Sequence, residues 1–337
     1  MPLSIKDVAR LARVSHSTVS RALANSPAVN GATAERIRKI AKETGYRPNT
    51  IGRSLATRRT HTIGFVVTTV ADPFVAEVAA GIEDVARQKG YAVFLANSNA
   101  DPEREVAVVR SFQDRRVDGV IVMASRVGGL YMPLLEELNV PIMLVDNQYP
   151  GEFAHSISID DRGGAKLVTS HLAALGHRRI AYIGDRYGMQ SDTDRLDGYA
   201  DALEAAGIEY DSAYVGQGNG GPGGGLEAMQ SLLALRERPT AVFCYNDMTA
   251  IGALRALHKA GCRVPADVSV AGFDDLQIAP FLEPPLTTVR QPKTEMGRRA
   301  ATILLELLEG KELEAQITVP GELIVRESTA PLGGKSI

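Results

Sequence analysis

The chain holds 337 residues, 45% of them hydrophobic, with 37 basic and 40 acidic side chains for a formal charge of −3. That length predicts two or three domains, the apolar fraction excludes wholesale disorder, and no run approaches the ~18 uninterrupted apolar residues of a membrane span. The first residues lack the apolar core of a secretory signal, and Cys244 and Cys262 form neither a disulfide framework nor a metal-ligand spacing, so a soluble, reduced, cytoplasmic protein is expected.

The near-neutral average hides an asymmetry. Residues 1–59 carry twelve Lys and Arg against Asp7, Glu35 and Glu43, a net +9, whereas the remainder is −12. A basic head on an acidic body points to a polyanion as partner of the head alone; a solvated helix surface is the plainer account of charge by itself. Within the head, Ser4 and Asp7 have capping-box spacing, and Ile5, Val8, Ala9 and Ala12 share a face, which predicts a helix over residues 4–12. A break follows at Arg13 and Val14. Ser15 then caps a second helix over 15–23, with Val19 and Leu23 on one face. A third runs over about 32–44, with Ile37, Ile40 and Ala41 inward, Gly45 past its end and Pro48 beyond. Two short helices joined tightly and backed by a third fit a helix-turn-helix, although a three-helix bundle without a DNA role shares the pattern. The second helix leaves His16, Ser17, Thr18, Ser20 and Arg21 free of packing duty. These groups donate to base edges and phosphates, and Arg21 suits the bidentate contact to guanine.

The string from Val8 to Leu23, with Gly45-Tyr46-Arg47-Pro48-Asn49 and Arg53-Ser54-Leu55-Ala56 after it, resembles the DNA-binding region of the lactose-repressor family, and the likeness continues to about residue 328. The resemblance implies that His16, Ser17 and Arg21 read the major groove and that Thr18, Ser20 and Asn49 touch the backbone or orient the domain. Residues 48–57 would form a hinge helix whose Leu55 wedges into the minor groove and kinks the DNA. Departures are Arg13, at a turn usually held by Gly or Asn, and Ala24, where an asparagine is frequent. Gly52 lowers hinge-helix propensity by ~1 kcal/mol relative to Ala.

From His61 the pattern becomes alternating strands and helices. Short apolar runs at 63–67, 91–95, 120–123 and 142–145, with a helix over 74–89, read as a parallel α/β sheet. The order restarts near Arg179 with runs at 180–183, 241–243 and 268–270 and a helix over 194–206. Gly81 and Gly90 bracket the first helix of one half and Gly198 and Gly207 that of the other, so two similar halves should enclose a cleft. Strand ends then nominate Asp72, Ser125, Asp146, Asn246, Asp247 and Asp274. Such a set of carboxylates and amides suits a neutral ligand rich in hydroxyls, although each member alone could be a helix cap. The family resemblance adds Phe74 as an aromatic cover, Arg195 as the arginine that holds sugar hydroxyls, and Gln291 as a polar ligand position. Asp160 matches a further one, with a helix cap ahead of Gly163-Gly164 an equal reading. Residues 216–225 are glycine-rich where some relatives carry a stacking aromatic, and the chain has no tryptophan.

G-x-G-x-x-G occurs twice between Gly216 and Gly223, but late in the chain and beside Pro222, which reads as a mobile loop rather than a dinucleotide site. The six histidines are scattered, with no G-x-S-x-G and no H-E-x-x-H. No catalytic group, metal or cofactor is therefore expected. The fold expected is α/β: a two-lobed parallel-sheet domain like the periplasmic binding proteins, preceded by a small all-α helix-turn-helix domain. Its divisions are 1–47 for the head, 48–60 for hinge and linker, and 61–330 for the effector and dimerisation domain. The N-lobe takes about 61–159 and 291–320, the C-lobe about 160–290 and 321–330. The function expected is a ligand-responsive, nucleoid-associated transcriptional repressor of a carbohydrate-utilisation operon, binding a pseudo-palindromic double-stranded DNA operator and a sugar-like effector. With no leucine heptads near Ile337, a homodimer is expected and no membrane partner. The other reading, a sugar-binding protein of a transport system, explains the body equally and leaves the head unexplained.

Overall fold

The computed structural model describes residues 4–23, 25–46, 59–125, 140–147, 155–313 and 315–333. The chain divides into two compact units, meeting at His61 and Thr62.

In the first unit, α1 (Ile5–Ala12), α2 (His16–Leu23) and α3 (Gly31–Glu43) surround a small core of Val8, Ala12, Val19, Ala22, Ala34 and Ile37. Each helix starts where a short polar side chain offers the backbone a partner. The amide and hydroxyl of Ser4 both donate to Asp7, the Ser15 hydroxyl accepts from the Thr18 amide at 3.2 Å, and Asn30 accepts from the Ala32 amide. Arg13 takes up the left-handed backbone (φ +51°) that its turn requires, despite the cost of a Cβ there. Gly45 (φ +66°) ends α3, as expected of a helix C-terminus.

The second unit contains two parallel sheets with helices around them. The first has β1 (Thr62–Val67), β2 (Ala92–Asn97), β3 (Gly119–Met123), β4 (Ile142–Val145) and β5 (His155–Ile159), with β11 (Ala315–Val319) on the edge, in the order β11-β5-β4-β3-β1-β2. The second has β6 (Ile180–Asp185), β7 (Val215–Gly218), β8 (Ala241–Cys244) and β9 (Ser269–Ala271) in the order β7-β6-β8-β9. Each half thus places its first strand between its second and third, the arrangement that opens a crevice at the strand C-termini. The helices are α4 (Pro73–Gln88), α5 (Pro102–Asp114), α6 (Asp161–Ala174), α7 (Gln190–Ala205), α8 (Pro222–Leu233), α9 (Asp247–Lys259) and α10 (Lys293–Leu308). A two-stranded antiparallel ribbon pairs β10 (Thr288–Arg290) with β12 (Glu322–Ile324), and both strands touch α6. Strands β1, β3, β4 and β8 are buried along their whole length, because a parallel strand is covered on both faces.

The glycine-rich stretch differs from the expected mobile loop. Val215–Gly218 is a strand and Pro222–Leu233 a helix, with Pro222 at the first helical position. Gly224 and Gly225 are required by packing, whereas Gly223 faces open space. A Cβ on Gly225 would lie 2.1 Å from the Thr249 carbonyl oxygen, and one on Gly252 2.0 Å from that of Pro222, so α8 and α9 cross backbone to backbone. The same device joins α4 to α10, where Gly81 meets the Thr294 carbonyl and Gly297 that of Val78, both at 2.1 Å.

Candidate functional site

Two surfaces carry polar groups that the fold itself does not consume. On α2 the core takes Val19 and Ala22, leaving His16, Ser17, Ser20 and Arg21 exposed and Thr18 half-buried. Ser15 holds the start of this row, with its hydroxyl 2.8 Å from those of Ser17 and Thr18. Arg21 has no ion-pair partner among the described residues, so its guanidinium is available for an external acceptor. Asn49 and Leu55, and the whole hinge segment 48–57, lie outside the described residues.

In the second unit a cavity of about 340 Å³ opens where the strand ends of the two sheets face each other. That is the size of a small-molecule site. One wall comes from the first sheet: Thr68 and Thr69 after β1, Asp72 and Phe74 at the start of α4, Met123 at the end of β3 and Asp146 after β4. The other comes from the second: Met189 and Arg195 on α7, Asn219 after β7, Tyr245 and Asn246 after β8, Met248 in α9, and Asp274 after β9.

Burial and charge set the chemistry of this cavity. Asp72 caps α4, accepting from the Phe74 amide at 2.9 Å; burial raises its pKa above the usual carboxylate range, and that amide opposes the rise. Arg195 is buried beside Asp161, with Nε and Nη2 both 2.8 Å from Oδ1, while Nη1 donates to the Tyr245 carbonyl at 2.6 Å. Its guanidinium lies 3.8 Å over the Phe273 ring and 4.6 Å over that of Tyr245. Burial alone would weaken its charge, but Asp161 and the surrounding anions keep it firmly protonated. Two guanidinium hydrogens remain for a ligand. Asp274 adopts a left-handed backbone (φ +118°), accepts from Gln291 Nε2 at 2.7 Å, and has its pKa pushed well above the usual range by burial and by Asp247 and Asp72, against Arg195 and Lys293. Asn246 caps α9 through the Thr249 amide and donates to the Gly220 carbonyl at 2.9 Å.

The structure therefore brings Asp72, Phe74, Asp146, Arg195, Asn246 and Asp274 together and leaves three nominated residues behind the walls. Ser125 is buried and donates to Glu105 at 2.7 Å. Asp247 is turned into the core, accepting from the Thr288 hydroxyl at 2.6 Å and the Leu276 amide at 2.8 Å. Gln291 supports Asp274 from beneath. Asp160 acts as a helix cap, accepting from the Gly163 amide at 2.8 Å. Sequence reasoning missed Asn219, Tyr245 and the three methionines, Met123, Met189 and Met248. It also missed Asp161, which stands next to a residue read as a cap.

The G-x-G-x-x-G motif does sit in a strand-to-helix turn, but Asn219 Oδ1 accepts from the Gly221 and Gly224 amides, both at 3.1 Å. Amides that would cradle a pyrophosphate are thus occupied. Among the described residues no group of three or more His, Cys, Asp or Glu is placed to hold a metal ion, and no helix is long and apolar enough to cross a membrane.

Residues 4–49 match the bacterial regulatory proteins of the lacI family, and residues 169–329 a periplasmic binding protein-like domain. The HTH-type transcriptional repressor CytR of Escherichia coli (strain K12) is 36% identical over 331 residues, which is 98% of this chain and 97% of that protein. The structure of the Lac repressor dimer bound to operator and the anti-inducer ONPF superposes with a TM-score of 0.89 at 29% identity, covering 98% of this chain and 100% of that one. A complex of the transcriptional regulator CelR with cellobiose gives a TM-score of 0.73 at 35% identity, covering 97% and 99%.

Proposed function

This chain belongs to the lacI family of bacterial regulatory proteins, and from that premise we propose that it is an effector-responsive repressor of a carbohydrate-utilisation operon. A homodimer would present two α2 helices to the half-sites of a pseudo-palindromic operator, with His16, Ser17 and Arg21 on base edges and Thr18, Ser20 and Asn49 on the backbone. The observation that carries the DNA reading is the α2 face: its polar and basic side chains are exposed although nothing in the small core requires them there. Residues 1–47 would form the reading head, 48–60 the hinge and linker with Leu55 as the minor-groove wedge, and 61–330 the effector domain.

The cavity supports an uncharged ligand rich in hydroxyls. It offers Asp72, Asp146 and Asp274 as acceptors and Asn219 and Asn246 as amides, while Arg195, the one cation among the described lining residues, is already answered by Asp161. Among the described lining residues a phosphate would meet three carboxyl groups and no free charge of opposite sign. Phe74, Met123, Met189 and Met248 offer the apolar faces that a pyranose, a furanose or a base can lie against. A ligand that binds the closed cavity better than the open one would shift the first-sheet halves of a dimer and so the hinge segments leading to the heads.

The test is capture of fragmented genomic DNA from the source organism by the purified protein, followed by sequencing, with and without a panel of neutral sugars and nucleosides. Enrichment of short pseudo-palindromes beside transport or catabolic genes, altered by one member of the panel, is the expected result. No enrichment under any condition would overturn the repressor reading.

A further inference from the structure

Beneath the cavity lies a buried cation that neither the ligand reading nor the DNA reading uses. Lys293, the first residue of α10, is only 3% exposed. Its ammonium donates to the carbonyl oxygens of Asp274 and, at 2.9 Å, Asp275, and stands 3.7 Å from the Glu77 carboxylate. These partners belong to opposite walls. Asp274 and Asp275 follow β9 in the second sheet, whereas Glu77 is on α4, whose first turn brings Asp72 and Phe74 to the cavity from the first sheet.

The turn that Lys293 grips is strained. Two successive non-glycine residues adopt left-handed backbone, Asp274 at φ +118° and Asp275 at φ +52°. Such pairs persist only where the surroundings over-determine them. Here the Asp274 amide donates to Val289, Gln291 takes the Asp274 carboxylate, and Arg290 and Arg326 take that of Asp275 at 2.7 and 2.6 Å. All of these hold the turn from its own side. Among the described residues Lys293 alone holds it and reaches the other wall as well, and a fully desolvated ammonium is retained only when its partners compensate its lost hydration.

We propose that Lys293 is a positioning residue of the effector cavity: its buried ammonium fixes the Asp274–Asp275 turn that aims the Asp274 carboxylate and ties that wall to Glu77 on the helix carrying Asp72 and Phe74. Its effect on ligand affinity rests on the reading of this cavity as the effector site; its hold on the two walls does not.

Hydrogen exchange on the ligand-free full chain tests the tie directly. In Lys293→Met the amides of Asp275 and Leu276 should exchange at least tenfold faster, with those of β8 within twofold of wild type. Lys293→Arg, which keeps a multi-donor cation, should bring the turn back to within threefold. Glu77→Gln should spare the turn and accelerate Ala76 and Glu77 at the start of α4 at least threefold. Turn amides unchanged in Lys293→Met, an arginine no better than methionine, or α4 amides unmoved in Glu77→Gln would each overturn the assignment. Should the methionine variant lose structure everywhere, the arginine and glutamine variants decide.

A second arm titrates D-ribose, cellobiose and uridine into each protein calorimetrically. A probe that binds wild type should lose at least fivefold in affinity in Lys293→Met and in Glu77→Gln, and equal affinities in all three would also overturn the proposal. Failure of every probe on wild type would count against an uncharged ligand, and hydrogen exchange alone would then decide the role of Lys293.

Discussion

Arg195 and Asp161 form an ion pair at 2.8 Å with side chains only 5% and 7% exposed, joining α7 to the start of α6 at the wall of the ligand cavity. The pair gives the cavity a fork of donors without leaving it a net positive charge. Phe273 beneath the guanidinium and the Tyr245 carbonyl beside it fix the plane of that fork. Breaking such a pair differs from replacing it, because one partner removed leaves a buried charge unanswered.

Asp161→Asn should therefore lower stability by about 3–5 kcal/mol in urea denaturation, whereas the double change Asp161→Leu with Arg195→Met should recover most of that loss. Both variants should lose affinity for an uncharged sugar. A double variant as unstable as Asp161→Asn would show that the site needs the ions themselves and not only filled volume.

On the DNA face, Arg21→Ala should relax preference at one base pair of each half-site by ~1–3 kcal/mol, read by selection from a randomised operator library. Exposed and without an ion-pair partner among the described residues, Arg21 has little structural work to lose. An unchanged preference at every position would remove it from the base-reading set.

Leu55 lies outside the described residues, and its proposed role is that of a minor-groove wedge. As a wedge it acts only in the kinked complex. Leu55→Ala should weaken operator binding at least tenfold more than binding to random duplex, measured by anisotropy at one fixed salt concentration. Equal losses would mean that the hinge assignment is wrong.

Much of this architecture is legible in the sequence because parallel, doubly covered strands read as apolar runs, as 63–67, 142–145 and 241–243 do. His155–Ile159, Val215–Gly218 and Ala315–Val319 do not read as strands, since each mixes polar or glycine residues into a short element. The start of α7 shows a subtler failure. The sequence pattern starts this helix at Asp194, yet it begins at Gln190, because Asp192 is drawn inward to the Tyr182 hydroxyl at 2.7 Å and the Asp185 amide at 2.9 Å. Of the residues that strand ends nominate, Asp72, Asp146, Asn246 and Asp274 line the cavity. That rule gives a position and not a direction: Ser125 and Asp247 also stand at strand ends but turn to Glu105 and Thr288. Lys293 gives no signal, as it opens a helix, and a lysine in a first turn reads as an exposed side chain.

Glycine tolerance in α8 and α9 should follow contact rather than helix propensity. Gly252→Ala places a Cβ 2.0 Å from the Pro222 carbonyl oxygen, backbone that cannot step aside, and should cost about 1–3 kcal/mol. Gly223 has nothing within 4 Å of its Cβ position, so Gly223→Ala in the same helix pair should be neutral or raise stability by up to about 1 kcal/mol. Thermal melts of the two variants should move in opposite directions or by clearly unequal amounts; equal losses would contradict the close helix crossing.

Burial pushes the Asp247 carboxyl up to about 7, against hydrogen bonds from Thr288 and Leu276 that favour its ionised form. The ordinary value is 3.8. Between these limits the unfolded chain has released the proton while the folded chain keeps it, so the folded state binds more protons and stability falls as pH rises. Below about pH 4 the two states hold the proton alike and no penalty exists; above about pH 7 the whole penalty is present. His171 and His177 work in the opposite sense, because burial lowers their pKa and they favour folding as pH rises toward 6.5. They are common to wild type and to Asp247→Asn, so the difference between the two proteins isolates the aspartate. Asparagine keeps one acceptor for Thr288 or Leu276 and cannot ionise. The stability of Asp247→Asn relative to wild type, from urea titrations, should rise between pH 5 and pH 8 by an amount on the order of 3 kcal/mol. A difference that stays flat across that range would show that Asp247 is already ionised in the folded state at pH 5, held so by Thr288, Leu276 and the nearby Lys293.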